Sequence, residues 1–246
     1  MSRPISLVVA APGTNRDRDV AFALELAGAE PRVALLGELF ERPAVLDEAR
    51  MLVVAGGFSY ADSIGAGRLF AFELQRALQD GLGAFVAAGR PVIGICNGFQ
   101  TLVRAGLLPG PGQRAALGHN ASGSFDCRWV TLAPSSQRCV WTKDLRDEID
   151  CPIAHGEGRF VADPTTLADL QANDQIALRY CGATGNPNGS VDDVAGICDP
   201  SGVVLGLMPH PENHVLPTQH PGHSRGVAGR LGLRLFEAGV EHAQEL

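Results

Sequence analysis

The chain has 246 residues, 45% of them apolar, and a formal charge of −7 from 20 basic and 27 acidic side chains. That length suits one α/β domain spanning 1–246, and that apolar share excludes disorder as the main state. The acidic balance weighs against nucleic acid or an anionic membrane as the main partner. In chain order, Ile5–Ala10 reads as a short strand closed by Pro-Gly-Thr-Asn. Asp19 to Ala29 has helical spacing, and Arg32–Leu36 and Met51–Ala55 read as further strands. Gly56-Gly57-Phe58-Ser59 breaks the last of these. Gly67 to Ala88 reads as helix, Pro91–Ile95 as strand, and Phe99 to Ala105 as a helix stopped by Gly106. Alternation of this kind predicts an open, mostly parallel central sheet with helices on both faces.

The second half is richer in β signals. Arg128–Ala133, Cys139–Thr142, Arg159–Ala162 and Ile176–Cys181 read as strands among turns. Val194–Cys198 and Val203–Met208 flank Asp199-Pro200-Ser201-Gly202, which predicts a hairpin. Arg225 to Ala243 reads as a C-terminal helix. The Pro/Gly-rich stretch at 109–112 looks like a loop rather than a domain seam.

Several classes fall away. Lys143 is the only lysine, and no G-x-x-x-x-G-K-[ST] run precedes it. A nucleotide-binding P-loop is thereby excluded, and lysine Schiff-base chemistry is disfavoured. No apolar run reaches the roughly 18 residues of a membrane span. Ile5 to Ala11 lacks the basic flank of a signal peptide, so a cytoplasmic address is expected. Six cysteines include no C-x-x-C pair, which predicts free thiols that are mostly small core residues. His210, His214, His220 and His223 match no standard zinc spacing, so no metal is expected.

The sharpest local feature is Pro91-Val92-Ile93-Gly94-Ile95-Cys96-Asn97-Gly98-Phe99-Gln100. A strand runs into Cys96, Asn97-Gly98 permits a tight turn, and a helix follows, as in a nucleophile elbow. A thiol there sits at a strand's carboxyl end and beside a helix N-terminus, whose partial positive charge favours a thiolate. From the elbow alone, a buried structural cysteine is an equal reading. Met208-Pro209-His210-Pro211-Glu212 supplies a base and an orienting acid. Prolines on both sides of His210 predict an extended segment, in which side chains two apart share a face. Taken alone, that segment reads more readily as an exposed proline-rich loop with an incidental histidine; paired with Cys96 it does not. The N–H groups of Asn97 and Gly57 are candidate donors to an oxyanion, although a glycine pair by itself is an ordinary turn.

G-I-C-N-G-F-Q (94–100) with P-H-P-E (209–212) resembles the class I glutamine amidotransferases with a Cys-His-Glu triad. P-G-T-N (12–15), G-G-F-S-Y-A-D (56–62), G-A-G (65–67), A-G-L-L-P-G (105–110), H-G-E-G-R-F (155–160) and N-P-N-G-S (186–190) resemble the branch of glutaminase subunits of phosphoribosylformylglycinamidine synthase. The resemblance implies that Cys96 attacks the side-chain amide of glutamine, with His210 as base then acid and Glu212 orienting it. It implies an oxyanion hole at Gly57 and Asn97, and a substrate contact at Gln100. It further implies ammonia delivery to a separate large synthetase subunit, with a small third subunit as a further partner. ATP and Mg would be used by the synthetase, and this chain would hold no cofactor. The G-G-F-S-Y and H-G-E-G-R-F strings would line the substrate or partner face.

Departures from the branch's pattern are Ala61 in place of Gly, Ser124 in place of Arg, and Asn213 in place of Arg. They touch partner contacts and regulation more than amide chemistry. Alternatives are an amidotransferase subunit serving another acceptor, an inactive homologue that binds a partner, and a cysteine α/β-hydrolase. The closeness of His210 to Glu212 in the chain disfavours the last.

Overall fold

The computed structural model describes residues 3–78 and 80–246, with only the backbone described at position 80. The strands are β1 (Ile5–Ala10), β2 (Glu30–Leu35), β3 (Met51–Val54), β4 (Val92–Ile95), β5 (Ala115–Gly118), β6 (Asp126–Pro134), β7 (Ile149–His155), β8 (Arg159–Ala162), β9 (Ile176–Cys181), β10 (Val194–Cys198) and β11 (Val204–Leu207). The helices are α1 (Asp17–Leu26), α2 (Leu36–Glu41), α3 (Val45–Glu48), α4 (Arg68–Leu78), α5 (Asp80–Ala87), α6 (Asn97–Arg104), α7 (Pro164–Ala172) and α8 (Leu233–Glu245). No helix of the described residues is long and apolar enough to cross a membrane.

One sheet of nine strands runs in the order β2-β1-β3-β4-β11-β10-β9-β6-β7. The stretch from β2 to β11 is parallel, and every later pairing is antiparallel. The α/β expectation holds; in the β-rich second half β6, β7, β9, β10 and β11 extend the same sheet, while β5 and β8 pair with each other as a separate antiparallel sheet. The parallel interior follows from composition: β3, β4 and β11 are unbroken apolar runs, buried at every position. β2 is an edge, and it carries Arg32 paired with Glu30 and Glu48 where another chain could otherwise dock. β7 alternates buried and half-buried residues, as a strand with one packed face does.

α1 packs with α8, while α6 packs with α4 and α4 with α2. Two contacts show how tightly the layers close. A Cβ on Gly206 of β11 would stand 2.1 Å from the Phe99 ring of α6, and one on Gly239 of α8 would stand 2.2 Å from Trp141.

The strand read at Cys139–Thr142 does not form; these residues turn, and the Trp141 indole N–H donates to Val203 O at 3.1 Å. Burial of a large ring produced the apolar run, not pairing. The helix read from Gly67 to Ala88 is two helices, α4 and α5, and Gln79 between them lies outside the described residues. The C-terminal helix starts at Leu233 rather than Arg225, because Gly226, Gly229 and Gly232 interrupt the earlier part. Helix α7 is missing from the sequence reading although its signal is printed there: Asp163 caps it by accepting from Thr166 N–H at 2.8 Å, and Pro164 follows.

Candidate active site

Three neighbouring parallel strands, β3, β4 and β11, end level with one another, with Val54 beside Gly94 and Leu207 beside Ile95. Gly57 follows β3, Cys96 follows β4, and His210 follows β11. The carboxyl edge of one sheet therefore assembles residues that are remote in the chain.

Cys96 sits at φ 54°, ψ −107°, a strained conformation for a residue with a side chain. The elbow needs glycines on both sides. A Cβ on Gly98 would lie 1.9 Å from Val54 O, and one on Gly94 would lie 2.6 Å from Gly98 O. Helix α6 can start this close to β3 and β4 only because those two positions lack side chains. Cys96 N–H donates to Leu207 O at 2.8 Å, which ties the elbow to β11.

His210 and Cys96 flank Gly56. A Cβ there would stand 3.1 Å from His210 Cε1 and 3.4 Å from Cys96 Cβ. His210 Nδ1 lies 2.6 Å from Glu212 Oε1, and both side chains are buried. The expected extended segment is instead a short 3₁₀ turn, Pro211–Asn213. The turn still brings Glu212 onto His210, and Gly232 makes room, since its Cβ would stand 2.5 Å from Pro211 O. Burial lowers the His210 pKa, but the Glu212 carboxylate and the pairing with Cys96 outweigh it and raise the pKa from 6.5 to about 10. Glu212 Oε2 is buried without a hydrogen-bond partner among the described residues. An uncompensated carboxylate oxygen makes a positive ring beside it more favourable still.

The antiparallel half of the sheet curls back over this edge. Pro152 O on β7 accepts from His210 N–H at 2.8 Å, and Ala154 O lies 4.0 Å from Cys96 Sγ. The space enclosed is a cleft of about 170 Å³ lined by Cys96, Gly57, Gln100, Asp62, His155 and Glu157 among others. Phe58 and Phe125 stand at its rim with ring centroids 6.2 Å apart.

Gly57 has φ 137°, and its Cβ would lie 2.6 Å from Asn15 N. Among the hydrogen bonds of the described residues, neither Gly57 N–H nor Asn97 N–H donates to a protein acceptor. Asn97 opens α6, where helix geometry leaves its N–H free. The Asn97 side chain is fully engaged. Its Oδ1 accepts from Ser59 Oγ at 2.5 Å, and its Nδ2 donates to Asp62 Oδ1 at 3.1 Å and to Gln100 Oε1 at 3.2 Å. Gln100 Nε2 donates to Glu157 O at 2.6 Å. Gln100 thus braces one wall of the cleft that it lines.

The motifs beyond the triad are packed together. Phe58 N–H donates to Gly13 O and Tyr60 N–H to Pro12 O, joining P-G-T-N to G-G-F-S-Y-A-D. Asn188 Nδ2 donates to Gly158 O at 2.9 Å, and Ser190 Oγ accepts from Phe160 N–H at 2.9 Å, so N-P-N-G-S holds H-G-E-G-R-F in place. Asn213 Nδ2 donates to Asp19 Oδ2 at 3.0 Å and anchors the turn after the triad to α1. His214 and His220 pack on Trp129, with centroids 4.9 and 4.8 Å away. That explains the His/Pro-rich stretch as loop packing. Among the described residues, no group of three or more His, Cys, Asp or Glu is arranged to hold a metal.

Tyr60, Ala61 and Asp62 are consecutive left-handed residues, with φ of 53°, 51° and 50°. Ala61→Gly is expected to stabilise the protein by about 0.5–1 kcal/mol, the left-handed cost of a Cβ less the extra freedom of glycine in the unfolded chain. The urea midpoint should rise; a lower one would mean that the Ala61 methyl makes contacts worth more than the strain.

Sequence reasoning missed His155, Asn120 and Asp62 as individual site residues. The signals were the G-G-F-S-Y-A-D and H-G-E-G-R-F strings, which hold Asp62 and His155 and implied a cleft wall without saying which side chain mattered. All six cysteines are free; Cys139, Cys151 and Cys198 are buried with Cys96, while Cys127 is exposed.

A family model for the CobB/CobQ-like glutamine amidotransferase domain matches residues 3–243. The phosphoribosylformylglycinamidine synthase subunit PurQ of Treponema denticola is 47% identical over 267 residues, covering 98% of this chain and 99% of that protein. The subunit PurQ of Dehalococcoides mccartyi is 39% identical over 259 residues and covers both chains completely. A chain of the solved PurLQS structure from Thermotoga maritima superposes with a TM-score of 0.75 at 33% identity, over 97% of this chain and 98% of that one.

Proposed function

Because this chain belongs to the CobB/CobQ-like glutamine amidotransferase family, in the branch of the PurQ subunits of phosphoribosylformylglycinamidine synthase, we propose that Cys96 is the nucleophile that opens the side-chain amide of glutamine. The chain is the glutaminase subunit of that synthase in purine biosynthesis, and its partners are the PurL synthetase and the small PurS subunit of a PurLQS assembly. The synthetase consumes ATP with Mg, and this chain contributes ammonia alone. The nine-stranded sheet that runs from the first half of the chain into the second supports reading 1–246 as one amidotransferase domain.

The steps follow from the geometry. With its raised pKa, His210 carries a proton at neutral pH beside the sulfur of Cys96, and a thiol attacks as its thiolate. Sγ attacks the amide carbon, and the carbonyl electron pair moves onto oxygen, which the N–H groups of Gly57 and Asn97 stabilise. His210 gives its proton to nitrogen, ammonia leaves, and a γ-glutamyl thioester remains. The now neutral ring takes a proton from water, hydroxide attacks the thioester, and glutamate departs as the thiolate–imidazolium pair re-forms. Glu212 holds the ring's orientation and offsets its charge. Gln100 positions the wall against which glutamine rests.

The observation that carries this reading is the meeting of Cys96 with a buried His210–Glu212 pair across Gly56. Treatment with a glutamine-like chloroketone, followed by mass spectrometry, tests it. An unguided alkylator reaches exposed Cys127 first, whereas one held as glutamine is held labels buried Cys96. Labelling that follows exposure would refute the assignment.

A further inference from the structure

β7 is the last strand of the sheet, and the segment that follows the triad covers its open backbone edge. Pro152 O accepts from His210 N–H at 2.8 Å, and Asp150 N–H donates to Arg230 O at 2.9 Å. Asp150 O, on the same edge, lies 2.5 Å from His214 Nδ1. A carbonyl oxygen only accepts, so Nδ1 carries the hydrogen of this bond. His214 Nε2 lies 3.2 Å from Ala228 O, a second oxygen that only accepts. Serving both oxygens takes two ring hydrogens; with one, the ring stays on β7 by keeping it on Nδ1. The His214 side chain is 0% exposed. A Cβ on Gly229 would stand 2.6 Å from His214 Cε1, so the covering segment closes directly over the ring. Around it stand His220, 5.4 Å away between ring centroids, and the Asp150 carboxylate, which Arg230 and Thr131 already hold.

What the Asp150 bond fastens is the catalytic turn. His210 N–H and His214 Nδ1 reach carbonyls two residues apart on one strand edge, and Glu212 lies midway between these two anchors. Gly232 N–H donates to His214 O at 2.7 Å, behind the same turn. Glu212 Oε1 meets His210 Nδ1 at 2.6 Å, a distance that holds only while the backbone of the turn stays in place. An anchor at one end would let the turn swing about His210, and a second anchor stops it. We infer that His214 is a positioning residue for the reaction: its Nδ1–H pins the far end of the Glu212 turn to β7 and so keeps the carboxylate on His210. It acts through Glu212 and touches no substrate. The inference rests on the glutaminase reading of the cleft.

Amide side chains separate the two ring nitrogens. Asparagine places a donor where Nδ1 stands, and glutamine places one where Nε2 stands. In the assembled complex, His214→Gln is expected to lower kcat for glutamine on the order of 10- to 100-fold with KM within about twofold of wild type, since the turn slips while the cleft keeps its walls. His214→Asn should bring kcat back to within about threefold of wild type, because it restores the bond to Asp150 O. Synthesis from ammonium chloride should run at the wild-type rate in both, which shows that each variant folds and docks. Nitrogen-15 spectra of the wild-type ring should show a hydrogen on His214 Nδ1, and they keep the inference refutable should H214Q fail that control. A wild-type kcat in H214Q, equal losses in H214N and H214Q, a loss carried by KM, or a bare Nδ1 each overturns the inference. A wild-type complex that releases no ammonia from glutamine overturns instead the glutaminase reading beneath it, and this inference with it.

Discussion

Replacing Cys96 by alanine lowers glutamine-dependent amidation by the assembled synthase at least about 10,000-fold, while synthesis from added ammonium salts continues. The size of the loss follows from covalency. Without Sγ no thioester forms, and the oxyanion donors of Gly57 and Asn97 can assist only direct attack by water. The survival of ammonium-dependent synthesis follows from the division of labour, since the synthetase needs ammonia and not its source. Cys96→Ser is expected to behave similarly: a hydroxyl at this elbow is a much weaker acid than a thiol, and His210 already holds its proton. Assays with glutamine and with ammonium chloride, run side by side, check both variants. Glutamine use retained by Cys96→Ala would end the nucleophile assignment.

Glu212→Gln should lower kcat by roughly 100- to 10,000-fold with little change in KM, because it removes the charge that stabilises the imidazolium and unlocks its orientation. The same pair makes a pH prediction. The folded pKa of His210 is raised from 6.5 to about 10. A raised pKa means that the folded state holds its proton more tightly than the unfolded chain does. The stabilisation is complete below about pH 6.5 and is lost as pH rises through about 10. Urea unfolding of the wild type should show stability falling across that window, and E212Q should flatten the fall. An identical slope in the two proteins would place the proton elsewhere.

The chemistry was legible in short strings because the elbow is local. Gly94, Cys96 and Gly98 lie within one strand–turn–helix unit, and the close approach that requires the glycines is made by backbone next in sequence or on the adjoining strand. His210 and Glu212 were legible for the same reason, although the turn that joins them is 3₁₀ and not extended. β7 was invisible. Its sequence, Ile-Asp-Cys-Pro-Ile-Ala-His, carries a charge and a proline inside an apolar run, and its importance comes from residues far away in the chain. Pro152 is tolerated there because β7 is an edge strand of the sheet. The strand misread at Cys139–Thr142 shows the opposite error, in which apolar residues were bought in by a buried tryptophan rather than by pairing.

From the sequence by itself came the α/β class, the thiol at a strand end, the base with its carboxylate, and the family to which they belong. These depend on backbone rules acting over a few residues and on side-chain types in a fixed order. The tertiary structure alone decided that β7 closes the cleft and that Asn120 sets the tautomer of His155. Those facts depend on the curl of a sheet whose strands are joined across long stretches of chain, and no local pattern encodes the distance between two such strands.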